Sequence, residues 1–189
     1  YNSSITIPGG TIENNSASNS GGGWFHSGTS DNYTLSGGII RGNTSSSGGG
    51  IFVNKANLNL AGPVKVYNNT DSTGRSNLYY VGGTVKRTAA LINNNGSAYV
   101  GLSSSDAVPK NIISNFVTAD GKATTFFFAD KATNKIQLSG TTVQLVDIGT
   151  TTFKPISWSY KYKTGSGEWS PAIPMNDSNL SIVYTGRIY

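Results

Sequence analysis

The stretch Tyr33-Thr-Leu-Ser-Gly-Gly-Ile-Ile-Arg-Gly-Asn43-Thr, followed by Ser46-Ser-Gly-Gly-Gly-Ile-Phe-Val53, decides the fold because it has counterparts on both sides. Upstream lie Ile7-Pro-Gly-Gly-Thr-Ile-Glu-Asn-Asn15-Ser and Gly21-Gly-Gly-Trp-Phe25. Downstream lie Leu60-Ala-Gly-Pro-Val-Lys-Val-Tyr-Asn-Asn69-Thr, one residue longer, and Gly74-Arg-Ser-Asn-Leu-Tyr-Tyr80. Asn15, Asn43 and Asn69 recur at spacings of 28 and 26, and Trp24, Ile51 and Leu78 at 27 each time. A fourth unit begins at Val85, runs through Leu91-Ile92 and reaches Tyr99-Val100. Self-similarity at such a period marks a repeat architecture.

Two short apolar strands per period, each bounded by Gly or Asn, leave too little chain for a βαβ unit. They suit one coil of a parallel β-helix, in which each strand pairs with its equivalent one coil away, about 4.8 Å distant. Ile12, Ile40 and Val66 are then expected to stack inside. Asn15, Asn43 and Asn69 are expected to form a structural turn ladder, their amides bonding to one another or to turn backbone. The Gly triplets permit positive φ at a sharp corner. An antiparallel sandwich with Gly-rich hairpins competes with this fold, but it does not require the two elements to recur in fixed order and phase.

The Leu-Ser-Gly-Gly, Gly-Asn-Thr and Gly-Gly-Gly-hydrophobic phrases between Tyr33 and Val53 resemble the iterated repeat of large surface proteins of gut and oral Firmicutes. More distantly they are similar to the repeats of chlamydial polymorphic outer-membrane adhesins. The resemblance covers roughly residues 5–102, and Ser76-Asn-Leu-Tyr-Tyr80 through Tyr99-Val100-Gly-Leu resembles the way such arrays end. It implies export, surface display, a right-handed parallel β-helix and a role in adhesion or as a stalk. It brings no catalytic motif. Gly62-Pro63 in place of Gly-Gly, and Gly74-Arg75-Ser76 in place of the triplet, suggest that the regular array is closing in the third repeat.

The composition agrees with strands and polar turns. Charged residues are 12% of the chain and glycines number 24, with long stretches of Ser, Thr and Asn. Cysteine is absent, which excludes disulfides and thiolate metal sites. No apolar run approaches the roughly 20 residues that span a bilayer. The chain begins at Tyr1 without an initiator Met or signal peptide, as expected of one that was processed or cut from something longer. The net charge of +5 is uneven, −1 over residues 1–54 and +6 over residues 55–189. The basic residues are scattered, with no run beyond Lys86-Arg87. Nucleic-acid binding wants a clustered stripe, so none is expected.

The expected organisation is coils over residues 1–105, a β-rich cap over 106–149 and a β-hairpin segment over 150–189. The cap would cover the open end of the helix. In the last segment Ser157-Trp-Ser-Tyr-Lys-Tyr-Lys163 alternates, Thr164-Gly-Ser-Gly167 suits a turn, and Ser181-Ile-Val-Tyr184 suits another strand. This segment is either the start of an immunoglobulin-like module or a sheet packed on the solenoid.

Chemistry-bearing residues are few. Glycosidases need two carboxylates facing each other across about 5–10 Å, yet no two acids of the repeats share an aligned column. His26, the single histidine, is expected in a surface turn, and Glu13 with Arg41 as an exposed cross-coil ion pair. Trp158, Tyr160, Tyr162 and Trp169 form an aromatic stripe, either the buried face of a hairpin or a platform for sugar rings. The expectation is therefore a non-enzymatic structural or adhesive segment of a bacterial extracellular surface protein, with no cofactor or metal and no membrane insertion in this segment. Its partners would be host or microbial glycans or other copies of itself, the latter in a head-to-tail fibre. The alternatives are a carbohydrate-binding module that uses the C-terminal aromatics and a polysaccharide-degrading β-helix enzyme.

Overall fold

The computed structural model describes residues 4–28, 32–93 and 99–148, and within 149–189 residues 159–161, 163, 165, 167–169 and 173–174. The chain divides into two units, Tyr1–Gly149 and Thr150–Tyr189.

The first unit is a parallel β-solenoid of about four turns. Its first coil holds β1 (Ser4–Ile7), β2 (Thr11–Glu13) and β3 (Trp24–Ser27), and its second β4 (Asn32–Leu35), β5 (Ile39–Arg41) and β6 (Ile51–Asn54). The third holds β7 (Ala56–Gly62), β8 (Lys65–Tyr67), a small antiparallel pair β9 (Thr70–Asp71) and β10 (Gly74–Arg75), and β11 (Leu78–Tyr80). The fourth has only β12 (Gly83–Leu91) and β13 (Val100–Ser104). Beyond it come β14 (Lys110–Ser114), a single turn of helix α1 (Ala123–Phe126), β15 (Phe127–Ala129), β16 (Asn134–Ser139) and β17 (Thr142–Asp147).

The coils stack into two sheets. In one, β1, β4, β7, β12 and β14 pair in parallel, and β17 and β16 continue it with antiparallel pairing. One inward column runs through the whole sheet: Ile5, Tyr33, Leu58, Val85, Ile113, Val143 and Leu138. The other sheet aligns Ile12, Ile40, Val66, Val100 and Phe127 in one column and Trp24, Ile51, Leu78, Leu102 and Ala129 in a second. Apart from the exposed Ile5, these inward residues join in one apolar core. Strand alternation supplies this result directly, since alternate side chains of every strand point the same way and stack on their equivalents.

The Gly triplets serve two purposes. Gly21 and Gly48 have φ of 68° and 64°, in the left-handed region. Gly22, Gly23, Gly49 and Gly50 do not; instead the coils approach so closely there that a Cβ at Gly49 would lie 2.0 Å from the Thr70 carbonyl oxygen. The corner is tight because backbone lies on backbone.

His26 is corrected by the structure. It lies in β3, not in a surface turn, and is buried, with its Nε2–H donating to the Asn57 carbonyl at 3.1 Å and its ring edge-on to Tyr33. The alternation that points Trp24 inward points His26 inward as well.

In the second unit, β18 (Ser159–Tyr160) pairs antiparallel with β19 (Ile173–Pro174), and Lys163 bridges Trp169. Trp158, Tyr162 and the Ser181–Tyr184 stretch lie outside the described residues.

Candidate functional site

Each of the first three coils turns after β2, β5 or β8 through a residue with positive φ: Asn14 at 58°, Gly42 at 65° and Asn68 at 55°. The next residue, Asn15, Asn43 or Asn69, thereby points its amide along the stack. Asn15 donates from its backbone N and its Nδ2 to Asn43 Oδ1, at 3.0 and 2.9 Å. Asn43 does the same to Asn69 Oδ1, at 3.0 and 2.9 Å. Asn43 Nδ2 also donates to the Ile12 and Arg41 carbonyls, and Asn69 Nδ2 to those of Ile40 and Tyr67. The structure thus brings the three asparagines together, with buried amides saturated as burial requires.

The chain of amides continues through two residues that the repeat alignment does not single out. Asn69 donates from N and Nδ2 to Asn77 Oδ1, at 2.9 and 3.0 Å. Asn77 in turn donates from N and Nδ2 to the two oxygens of Asp130, at 2.7 and 2.5 Å. Asp130 can reach there because the fourth coil lacks a turn: Val100 pairs with Val66 and Leu102 with Leu78, so β13 replaces two strands and the loop between them. Gly101 leaves the space, since a Cβ there would lie 2.3 Å from both Asn77 Nδ2 and Asp130 Oδ1. Burial pushes the Asp130 carboxyl above its ordinary range, against the opposing pull of the Asn77 hydrogen bonds and the Arg75 charge.

On the outer surface two further columns run along the stack. Phe25, Phe52 and Tyr79 stack with centroids 5.6 Å apart and ring planes 10° and 15° from parallel. Their faces lie against one another, so the column offers ring edges to solvent and one open face at Phe25, which is 54% exposed. Beside it Arg41 Nε donates to Glu13 Oε2 at 2.8 Å, in an exposed pair. Next along, Tyr67 packs against Tyr99, over whose ring Lys65 Nζ stands at 4.7 Å.

Asp71, Asp106 and Asp120 each have a fixed local partner. Burial tends to raise the Asp71 carboxyl, but hydrogen bonds from the Thr73 hydroxyl and N–H and from the Gly48 N–H outweigh it and hold it low. Asp106 is held low by Lys110. Asp120 clamps Arg87 with both oxygens, at 2.5 and 2.8 Å, and accepts from Leu91 N across the bulge in β12. The Arg87 bond holds the Asp120 carboxyl low, against burial. Among the described residues no three His, Cys, Asp or Glu cluster as metal ligands would, and no helix is long and apolar enough to cross a membrane. Of the C-terminal aromatics, Tyr160 lies in β18, and Trp169 is 63% exposed with Lys163 Nζ 5.6 Å from its ring centre.

Compared with protein-family models, curated proteins and solved structures, the chain matches none.

Proposed function

We propose that this chain is a structural or adhesive segment of a bacterial extracellular surface protein, a β-solenoid that works as stalk or binding module without cofactor and without catalysis. The observation that carries this is how the polar groups are used. Asn15, Asn43, Asn69, Asn77 and Asp130 are bonded along the stack, and among the other acids of the first unit Glu13, Asp71, Asp106 and Asp120 are each tied to a neighbour. Hydrolysis of a polysaccharide needs two carboxylates free to face a substrate. The Gly-Asn-Thr and Gly-Gly-Gly repeat, similar to that of Firmicutes surface proteins, supports export and display. Antibody labelling of intact source cells, with and without protease shaving, tests this: labelling that appears only after permeabilisation overturns it.

A second proposal rests on Trp169, whose exposed ring is of the kind on which sugars stack. Under it the Trp158, Tyr160, Tyr162 and Trp169 group binds a host or microbial glycan. Pull-down on insoluble polysaccharides should then retain the protein and lose the Trp169→Ala variant; equal retention of both removes this second proposal.

A further inference from the structure

The first sheet opens where the solenoid hands over to antiparallel strands. β12 is in register with β7 at six pairs, but with β14 at only two, Val85 with Ile113 and Lys86 with Ser114. The cause lies in β14, which carries a bulge between Asn111 and Ile113 where it meets β17. A bulge bends its strand, and here the consecutive Ile112 and Ile113 are both buried instead of alternating. Ahead of the two paired residues the strands part, with Gly83 and Thr84 on one wall and Asn111 and Ile112 on the other. Between them lies a cleft of about 200 Å³.

None of its lining residues is charged, and they mix hydrogen-bonding groups with aliphatic ones. Hydroxyls come from Thr84, Ser114 and Thr142, an amide from Asn111, and apolar surface from Val85 and Ile112. Gln144 Nε2 donates to Asn111 Oδ1 at 2.5 Å and so fixes the orientation of that amide. The Tyr80 hydroxyl, also at the cleft, donates to the Gly83 carbonyl at 2.8 Å. Lys110, whose Nζ stands 5.2 Å from the Tyr80 ring centre, is engaged by Asp106.

A peptide strand does not suit this gap. Each wall offers two residues outside the ladder, against about five or six in an ordinary strand. An ion entering it would meet no opposite charge in the lining, and an unpaired charge is costly to desolvate. A compact neutral ring, with hydroxyls on its rim and C–H groups on its faces, matches both kinds of lining. We propose that the cleft between β12 and β14 binds one sugar unit of a neutral glycan, whose hydroxyls bond to Thr84, Asn111, Ser114 and Thr142. The volume suits a single ring, since pockets for drug-sized ligands run to about 300–1,000 Å³. This rests on the reading of the chain as an adhesive segment, and gives that reading a ligand class and a place in the first unit.

The test is an amide-resolved NMR titration of the full chain. The probes are the methyl glycosides of glucose, galactose, mannose and N-acetylglucosamine, with glucuronate as the charged one. At least one neutral sugar should shift the amides of Gly83, Thr84, Asn111 and Ser114 saturably at millimolar concentration. The double variant Thr84→Val/Thr142→Val removes two hydroxyls and keeps the side-chain shape. It should weaken that sugar at least about tenfold, roughly 1.4 kcal/mol, with little change in melting temperature, since Val suits strands as Thr does. Thr84→Val alone, at an exposed position, should act in the same direction. Trp169→Ala should leave the shifts intact. Three results overturn the proposal: no shift of these amides by any neutral sugar at tens of millimolar, shifts that Trp169→Ala removes, or glucuronate binding more tightly than every neutral sugar. None of them bears on surface display, which the labelling experiment tests separately.

Discussion

Single residues hold this fold through close approach and amide saturation. Gly49→Ala would drive a methyl into the Thr70 carbonyl of the next coil, and overpacking of this kind costs about 1–3 kcal/mol. Gly9→Ala, where the added methyl meets nothing within 4 Å, should be nearly silent. Denaturant midpoints of the two variants check this contrast. Asn43→Leu orphans the donors of Asn15 and takes from the buried Asn69 Oδ1 its side-chain donor, leaving it only the backbone N–H of residue 43, so a loss of about 1–3 kcal/mol is expected, and an unchanged melting curve would contradict the ladder's energetic role. The acids give a pH signature of two signs. Asp130 binds its proton more tightly folded than unfolded, so its share of stability is complete below the ordinary carboxylate value of about 3.9 and is lost as pH rises through the raised folded value. Asp120 is opposite: its share is present above about 3.9 and lost as pH falls through the depressed folded value. Urea midpoints across this range should lose their alkaline-side decline in Asp130→Asn and keep their acid limb.

At the scale of elements, the stack grades in protection. β7 and β12 are paired on both sides with apolar columns above and below, whereas β1 has a neighbour on one side only. Amide exchange should therefore be slowest in β7, β12 and the centre of β13 and fastest in β1; a uniform rate across these strands would mean that the coils open as one unit. The elements were also where the sequence was most legible. Trp24, Ile51 and Leu78 occupy one register because the repeat demands in-phase stacking, and the asparagines follow for the same reason. Asn77 and Asp130 were not legible. Asn77 occupies the place held by Gly23 and Gly50 in earlier coils, and Asp130 belongs to no repeat. They meet only because the fourth coil omits its turn, a long-range event marked in sequence by little more than Gly101 between Val100 and Leu102. His26 was misplaced by weighing its polarity above the two-residue alternation of β3.

For the molecule as a whole, a solenoid is stabilised by nearest-neighbour coils, and the strands of its inner coils are paired along both edges. Arg41 is the only Lys or Arg among residues 1–54, and it sits in β5 between β2 and β8. Lys131, by contrast, is exposed in a turn ahead of β16. A protease takes its substrate as an extended strand added to its own cleft, and a strand with partners on both sides cannot be added. Native trypsin digestion followed by mass spectrometry should therefore show cleavage after Lys131 well before cleavage after Arg41; early loss of the Arg41 peptide would mean that the second coil frays. The same packing that leaves glycine no room for a methyl leaves a digestive enzyme no interior strand to seize.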